Sequence, residues 1–486
     1  MLRFLTLVSA ITLAACAGAP GTQAPPGPLS GATGKVTVYS IGDRHGEVKP
    51  CGCPRVQLGG MTRLFAYADA HQAAQGTQFF ADSGNSFFSL PTLPPTRQED
   101  EKARAELIAD AYRMLGVSAL VPGKRDLTLG QETLRQLAER AGIALLAANL
   151  KDAVGKPVFT RQQVFERDGI KVGITGVVDA EAAWAPWQID PNGAKDALRA
   201  LKAQGAQLTV LMIQKAEQAG KYNHLGYDLE LLAPVEEGKS VAYASWDLGT
   251  GKVTDSAHEE LTPEWEKPGR FTAVYDRHLA QAKESTVGKA AAPVKTVKGA
   301  WDAQAHRCQE CHAKQYDFWQ GTKHASAYLV LFAKDQHFDP ECISCHTLGY
   351  GSSKGFTDIA SPLRRAGEAP RKAGEMPFVE GFFKDIFSED TGKGALDSRV
   401  EPKRYAALKE RYHASLKKWT DENTGSKVYL GVQCEHCHGN RTGHPGPSFK
   451  RVGKVQPKSC TSCHQPPHDP SFNFAERQPK VACPKL

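Results

Sequence analysis

The nonapeptide Gly431-Val432-Gln433-Cys434-Glu435-His436-Cys437-His438-Gly439 holds the pattern that decides how the second half of this chain is read. Two cysteines lie three positions apart, and a histidine follows the second directly. The same pattern recurs as Cys308-Gln309-Glu310-Cys311-His312, Cys342-Ile343-Ser344-Cys345-His346 and Cys460-Thr461-Ser462-Cys463-His464. The four copies take up eight of the 12 cysteines in the chain. Random placement at this composition gives on the order of 0.01 copies, so the pattern is not accidental.

The spacing has a chemical reason. Thiols at i and i+3 can each form a thioether to one of the two vinyl groups of a haem, and the adjacent imidazole then reaches the iron. A zinc ribbon explains paired cysteines but not a histidine after every second one. A disulfide framework leaves the histidines equally unexplained. The steps from each histidine to the next motif, 30, 88 and 22 positions, are also irregular. Four covalently attached c-type haems are therefore expected. Their proximal iron ligands are His312, His346, His438 and His464.

The region from Trp301 to Lys480 resembles the tetrahaem cytochrome c-554 family. The matching residues include Tyr316, Trp319 and Thr322-Lys323-His324-Ala325 after the first motif. Phe338-Asp339-Pro340-Glu341 precedes the second motif, Thr347-Leu348-Gly349-Tyr350 follows it, and the nonapeptide above has His444 close behind. The resemblance implies single-electron transfer between packed haems with mostly histidine distal ligands. His324 and His444 match the distal positions. His413 and His468 are further candidates, the first on a predicted helix and the second four residues after His464. His306, His337 and His436 complete the histidines of this region, with His436 expected to point away. An iron left without a distal ligand would admit small-molecule chemistry, the alternative being an oxidoreductase acting on a nitrogen or sulfur compound.

Towards the N-terminus, strand-like runs (Val36 to Ile41, Phe79 to Asp82, Ala144 to Asn149, Val172 to Val177, Leu208 to Ile213) alternate with amphipathic stretches (Lys102 to Leu115, Gly130 to Ala141). That alternation predicts a layered α/β domain. Tyr405, Leu408, Tyr412, Leu416 and Trp419 fall at helical spacing and predict one amphipathic helix within an otherwise mainly α, haem-packed domain.

The α/β part resembles the calcineurin-like phosphoesterase sandwich, especially its 5′-nucleotidase branch. Ile41-Gly42-Asp43-Arg44-His45-Gly46-Glu47, Gly59-Gly60-Met61-Thr62-Arg63, Asp82-Ser83-Gly84-Asn85-Ser86 and Pro122-Gly123-Lys124-Arg125-Asp126 carry the resemblance. Of the ligands that hold two metals in such enzymes, only Asp43 and His45 remain. Asn85 stands for a bridging Asp, Lys124 and Arg125 for Asn and His, and Gln214 for a later His. Loss of the metal centre is expected, with two cations near the vacated position opposing a metal. A bifunctional phosphohydrolase is the alternative.

Residues 1–15 read as a signal peptide, with a short apolar run after Arg3 ending in Leu13-Ala14-Ala15-Cys16. That ending resembles a bacterial lipobox, which implies lipidation at Cys16. The expected organisation is a tether over 16–34, the α/β domain over 35–279, a linker over 280–299 and the haem domain over 300–486. A lipid-anchored protein on the periplasmic face of a bacterial membrane or at the outer membrane follows, working with redox partner proteins. The net charge is +7. Each haem adds about −1 when oxidised and about −2 when reduced, so the holoprotein is near neutral. Nothing calls for a nucleic-acid partner. Cys51, Cys53 and Cys483 remain, with a disulfide as the default reading and haem ligation by Cys483 as the alternative.

Thioethers do not dissociate in acid-acetone. Four haems should therefore stay with the protein through extraction and add about 2.5 kDa to the mature chain, as read by mass spectrometry.

Overall fold

A computed structural model describes residues 34–485, apart from 51–56, 72–75, 94–96, 181–183, 185, 235–237, 289–300, 302, 353, 391, 393–395, 397, 399–400, 440–454, 465–468 and 470. Twelve strands lie in the N-terminal part: β1 (Lys35–Ser40), β2 (Thr77–Asp82), β3 (Val117–Leu120), β4 (Ala144–Leu145), β5 (Leu150–Lys151), β6 (Gln162–Arg167), β7 (Ile170–Val177), β8 (Gln188–Ile189), β9 (Leu208–Ile213), β10 (Leu229–Leu232), β11 (Ser240–Asp247) and β12 (Lys252–Glu260).

They form a six-stranded sheet in the order β12-β11-β1-β2-β3-β4 and a four-stranded sheet in the order β10-β9-β7-β6. The β1-β2-β3-β4 pairs are parallel, as are β10-β9 and β9-β7, while β11 and β6 run antiparallel to their neighbours. Every residue of β2 and of β9 is buried, as strands covered on both faces require. Val38 and Phe79 of the first sheet share one apolar core with Ile174 and Val210 of the second. Leu211 and Ile213 pack in a separate cluster with Ala194 of helix α4 (Gly193–Ala203). The period of two along β9 thus splits its side chains between an inter-sheet core and an outer helix.

The remaining helices of this unit are α1 (Met61–His71), α2 (Gln98–Leu115), α3 (Gly130–Ala141) and α5 (Thr272–Gly288). Two expectations need correcting. The run Ala144 to Asn149 is a strand only at β4, because Ala147 N–H donates to Thr160 (2.9 Å) and Ala148 N–H to Gly176 (2.8 Å), carrying the chain across to the second sheet. The expected linker over 280–299 and the domain boundary at 279 also cut through α5. Ala280-Gln281-Ala282-Lys283-Glu284 is made of good helix formers, which the Pro at 293 does not interrupt.

The C-terminal unit is helical: α6 (Ala305–Gly321), α7 (Ala327–Ala333), α8 (Pro340–His346), α9 (Phe378–Phe387), α10 (Pro402–Glu422), α11 (Cys434–His438), α12 (Pro457–Thr461) and α13 (Phe474–Arg477), with a two-stranded ribbon of β13 (Leu363–Arg364) and β14 (Lys427–Val428). The helix expected from Tyr405 to Trp419 is α10, burying Tyr405, Leu408, Tyr412 and Trp419. Its core is aromatic, with Phe383 stacked on Phe332 (4.8 Å between centroids) and Tyr412 (5.8 Å). The two units meet through Arg104 of α2, 3.2 Å from Asp339, and Lys283 of α5, 3.0 Å from Glu380. Among the described residues no helix is long and apolar enough to cross a membrane.

Candidate haem-binding site

Each motif sits on or at the end of a short helix. Cys308 and Cys311 lie on α6, which kinks at His312 (φ −124°, ψ 42°). Cys342, Cys345 and His346 end α8, and Cys434 to His438 are the whole of α11. Cys460 lies on α12, with His464 N–H donating to the Cys460 carbonyl at 2.8 Å. A helical turn puts i and i+3 on one face, which is what two thioether bonds to one macrocycle require. None of these eight thiols forms a disulfide. Instead the motifs meet in pairs. The Cys308 thiol is in hydrogen-bonding contact with Cys434 and, with burial, drives its pKa far up. The Cys345 thiol hydrogen-bonds Cys463 and lowers it to about 7.

The histidines sort by what their ring nitrogens touch. Nδ1–H of His346 donates to the Ala327 carbonyl (2.5 Å), and Nδ1–H of His464 to the Asp469 carboxylate (2.9 Å). Both acceptors lack a proton to give, so the tautomer is set and Nε2 is presented for a metal. His324 lies 6.1 Å from the His464 ring, between centroids. Burial, with His464, His436 and His346 nearby, lowers it to about 4, so it is the neutral, ligating form at pH 7. These three line a cavity of about 2060 Å³ together with Cys345, Cys437 and Cys463. That is at least twice the volume of an ordinary ligand pocket.

A second cavity, about 350 Å³, lies between α6 and α10 and is lined by His306, Tyr316, Trp319 and His413. His413 Nε2 is buried there with no hydrogen-bond partner. An unpartnered imidazole nitrogen beside such a space is a donor an iron could use. The residues present therefore fit covalent haem: paired thiols, oriented proximal imidazoles, neutral histidines opposite, and room.

Other histidines are engaged elsewhere. His436 accepts from Gln433 N–H at Nδ1 (2.9 Å) and donates from Nε2 to the Thr347 carbonyl (3.2 Å), which explains why it points away from its own motif. His337 is buried with Nε2 2.7 Å from Glu380. His444, His468, Cys16, Cys51 and Cys53 lie outside the described residues. Cys483 is a free thiol, so it does not share a disulfide with Cys51 or Cys53, and it stands close enough to Cys434 and Cys437 to act on both electrostatically. One histidine on the large cavity escaped the sequence reading: His278 of α5, from the α/β unit. It stands on α5, well before the first Cys-x-x-Cys-His motif, and no local spacing marks it.

In the α/β unit the loops after β1, β2 and β3 converge. Asp43, His45 and Asn85 have positive φ (51°, 55° and 57°), and His45 Nε2 is 3.0 Å from Asp43 Oδ1. The residues that stand for metal ligands tie loops together instead. Asn85 Oδ1 accepts from Arg125 N–H (3.2 Å). Gln214 accepts from Asp179 N–H (3.0 Å) and donates to the Pro122 carbonyl (2.9 Å). Asp126 accepts backbone N–H bonds from Asn85, Ser86, Phe87 and Gly123 at 2.7 to 2.9 Å. Asp82 accepts from Tyr112 and Gly84, and burial beside Asp126 raises it to about 7. Among the described residues no group of three or more His, Cys, Asp or Glu is placed to hold a metal. This donor set does not fit a two-metal centre. The expected cationic barrier is not the reason, however: Lys124 is exposed, and the Arg125 guanidinium turns to the Ser89 carbonyl. Missing donors are the reason.

The chain has two parts, a layered α/β unit and a helical unit that carries the four Cys-x-x-Cys-His motifs. Residues 307–366 match the family model described as cytochrome c554 and c-prime. Over 173 residues the chain is 27% identical to a 5′-nucleotidase of Vibrio cholerae, covering 35% of this chain and 30% of that protein. It thus spans about a third of the length of that curated relative. Similar solved structures include the calcineurin-like phosphoesterase YfkN from Bacillus subtilis (15% identity, TM-score 0.41, 51% of this chain and 97% of that one). Another is the 5′-nucleotidase precursor from Thermus thermophilus (15% identity, TM-score 0.41, 82% and 98%).

Replacing His413 by Ala should convert one low-spin ferric iron to high spin, because a strong-field nitrogen is lost. Low-temperature EPR of the oxidised protein reads this directly, and an unchanged spectrum would remove His413 from the ligand set.

Proposed function

We propose that this protein is an exported, lipid-anchored cytochrome that passes single electrons through four covalent haems between redox partner proteins, with the α/β unit as a docking scaffold. The observation that carries the reading is the fourfold Cys-x-x-Cys-His motif, at Cys308, Cys342, Cys434 and Cys460, each begun on a helical turn. Each haem, when bound, supplies an iron that takes up and releases one electron. The chain does the rest. Cys342 and Cys345 tether one macrocycle and Cys460 and Cys463 another, while the Ala327 carbonyl and the Asp469 carboxylate hold the His346 and His464 rings in position. A carboxylate partner makes an imidazole a stronger donor than a carbonyl does, which favours the ferric state of its iron.

The similarity to 5′-nucleotidases favours a second reading, a phosphohydrolase fused to a redox module. Its ligand set opposes it, since Asn85 and Gln214 cannot bridge or bind cations as Asp and His do.

Two measurements test the pair of readings. Potentiometric titration should resolve four one-electron steps. Asp469→Asn should raise one of them by roughly 40–90 mV, the equivalent of a hydrogen-bond difference of about 1–2 kcal/mol, with all spin states kept. Four unmoved potentials would reject the Asp469 role. Nucleotide and phosphodiester substrates should give no turnover with manganese, zinc or cobalt supplied. Turnover abolished by Asp43→Ala would establish the second reading.

A further inference from the structure

We propose that His278, on the last helix of the α/β unit, is an axial ligand to the iron of the haem held by Cys342, Cys345 and His346. The proposal rests on covalent haem at that motif, and it joins the two units of the chain through one metal.

The placement of α5 carries the argument. Val274, Tyr275, His278, Leu279 and Ala282 recur at three- and four-residue steps, and all of them line the 2060 Å³ cavity. One face of the helix is therefore a wall of the haem chamber, and His278 is the imidazole on that face. The same chamber is also lined by Cys342, Cys345 and His346. Tyr275, one turn before His278, stands near enough to Cys342 to feel its charge. His278 itself is acted on by Arg104 and by Asp339, three residues before Cys342. Arg104 and Asp339 are bonded to each other at 3.2 Å, which pins α2 and the start of α8 around the His278 ring.

Two of the other basic groups that the α/β unit places on this wall are engaged. Lys283 holds Asp335 (3.3 Å) and Glu380 (3.0 Å), and Lys49 stands over the Tyr275 ring at 4.3 Å. Guanidinium and ammonium groups held in this way are protonated and are poor iron donors. A neutral imidazole is the nitrogen that ligates haem readily. His346, with Nδ1 fixed on the Ala327 carbonyl, gives the first nitrogen to this iron. His278 gives the second.

The consequence is physical as well as electronic. A residue before the linker and a motif after it would share one iron, so the helix that closes the chamber is bonded to what it covers. The α/β unit then gives one haem its spin state and a floor to its potential, a role unrelated to phosphoester chemistry.

The experiment uses the full-length protein, with haem content read first by mass. His278→Ala should convert one low-spin ferric iron to high spin, and millimolar imidazole should restore the low-spin signal, which a purely structural role would not do. His278→Met should keep that iron low spin and raise its potential, because a thioether replaces an imidazole. Glu284→Gln, on the same helix but off the cavity wall, should change neither. A full haem complement in which His278→Ala keeps every low-spin iron, or in which His278→Met moves no potential, overturns the assignment alone. If the Ala variant does not accumulate, the Met variant decides. A wild-type mass matching the bare polypeptide overturns the haem reading and this proposal with it.

Discussion

One turn of helix sets the geometry of the C-terminal unit. Two thiols at i and i+3 on a common face can meet one macrocycle, and the next residue leaves the turn with its imidazole directed at the same centre. Helices α8, α11 and α12 are so short, seven, five and five residues, that helix propensity alone could not hold them. Tertiary contacts fix them: the Ile343 side chain is buried in the aromatic core, and Gln433 donates to the Val428 and Leu430 carbonyls ahead of α11. The core of Tyr328, Phe383 and Tyr412 gives these short helices a rigid floor. The helical unit thus has an apolar core of its own.

The α/β unit shows how a site's architecture outlasts its ligand set. Positive φ at Asp43, His45 and Asn85 is a conformation that costs energy for residues other than glycine. In a metal enzyme, coordination could hold such loops. Here hydrogen bonds do so: Asp126 gathers four backbone N–H groups, and Gln214 connects Asp179 with Pro122. The buried Asp82 and Asp126 carboxylates lie close together, and burial favours their neutral forms. The loops remain shaped by these bonds, while Arg44 Nε and Nη1 and Ser83 Oγ stay buried without a hydrogen-bond partner.

Between the units, polar contacts do what a single apolar interface does elsewhere. Arg104 with Asp339 and Lys283 with Asp335 and Glu380 join α2 and α5 to the segment leading into α8 and to α9. Glu380 is buried, and although burial opposes its charge, hydrogen bonds from His337 and Lys283 hold it at about 2. A charge so stabilised keeps Lys283, and with it the end of α5, docked against the haem unit. The extension of α5 through Ala280-Gln281-Ala282 therefore has a role that a linker could not fill.

The sequence by itself determined the chemistry that depends on neighbours in the chain. The thiol spacing and its following histidine declared covalent haem, the alternating runs declared the α/β layers, and the spacing of Tyr405, Leu408, Tyr412 and Trp419 declared α10. These follow from the periods of helix and strand, which are local. Only the tertiary structure decided what depends on contacts between separate elements. It set Cys308 against Cys434, left His413 Nε2 buried without a hydrogen-bond partner, and engaged both nitrogens of His436. It also turned Arg125 away from the vacated metal position and brought His278 to the haem chamber from the other unit. A ring nitrogen's role is set by what lies within hydrogen-bonding reach of it, and chain spacing carries no information about neighbours that folding delivers from afar.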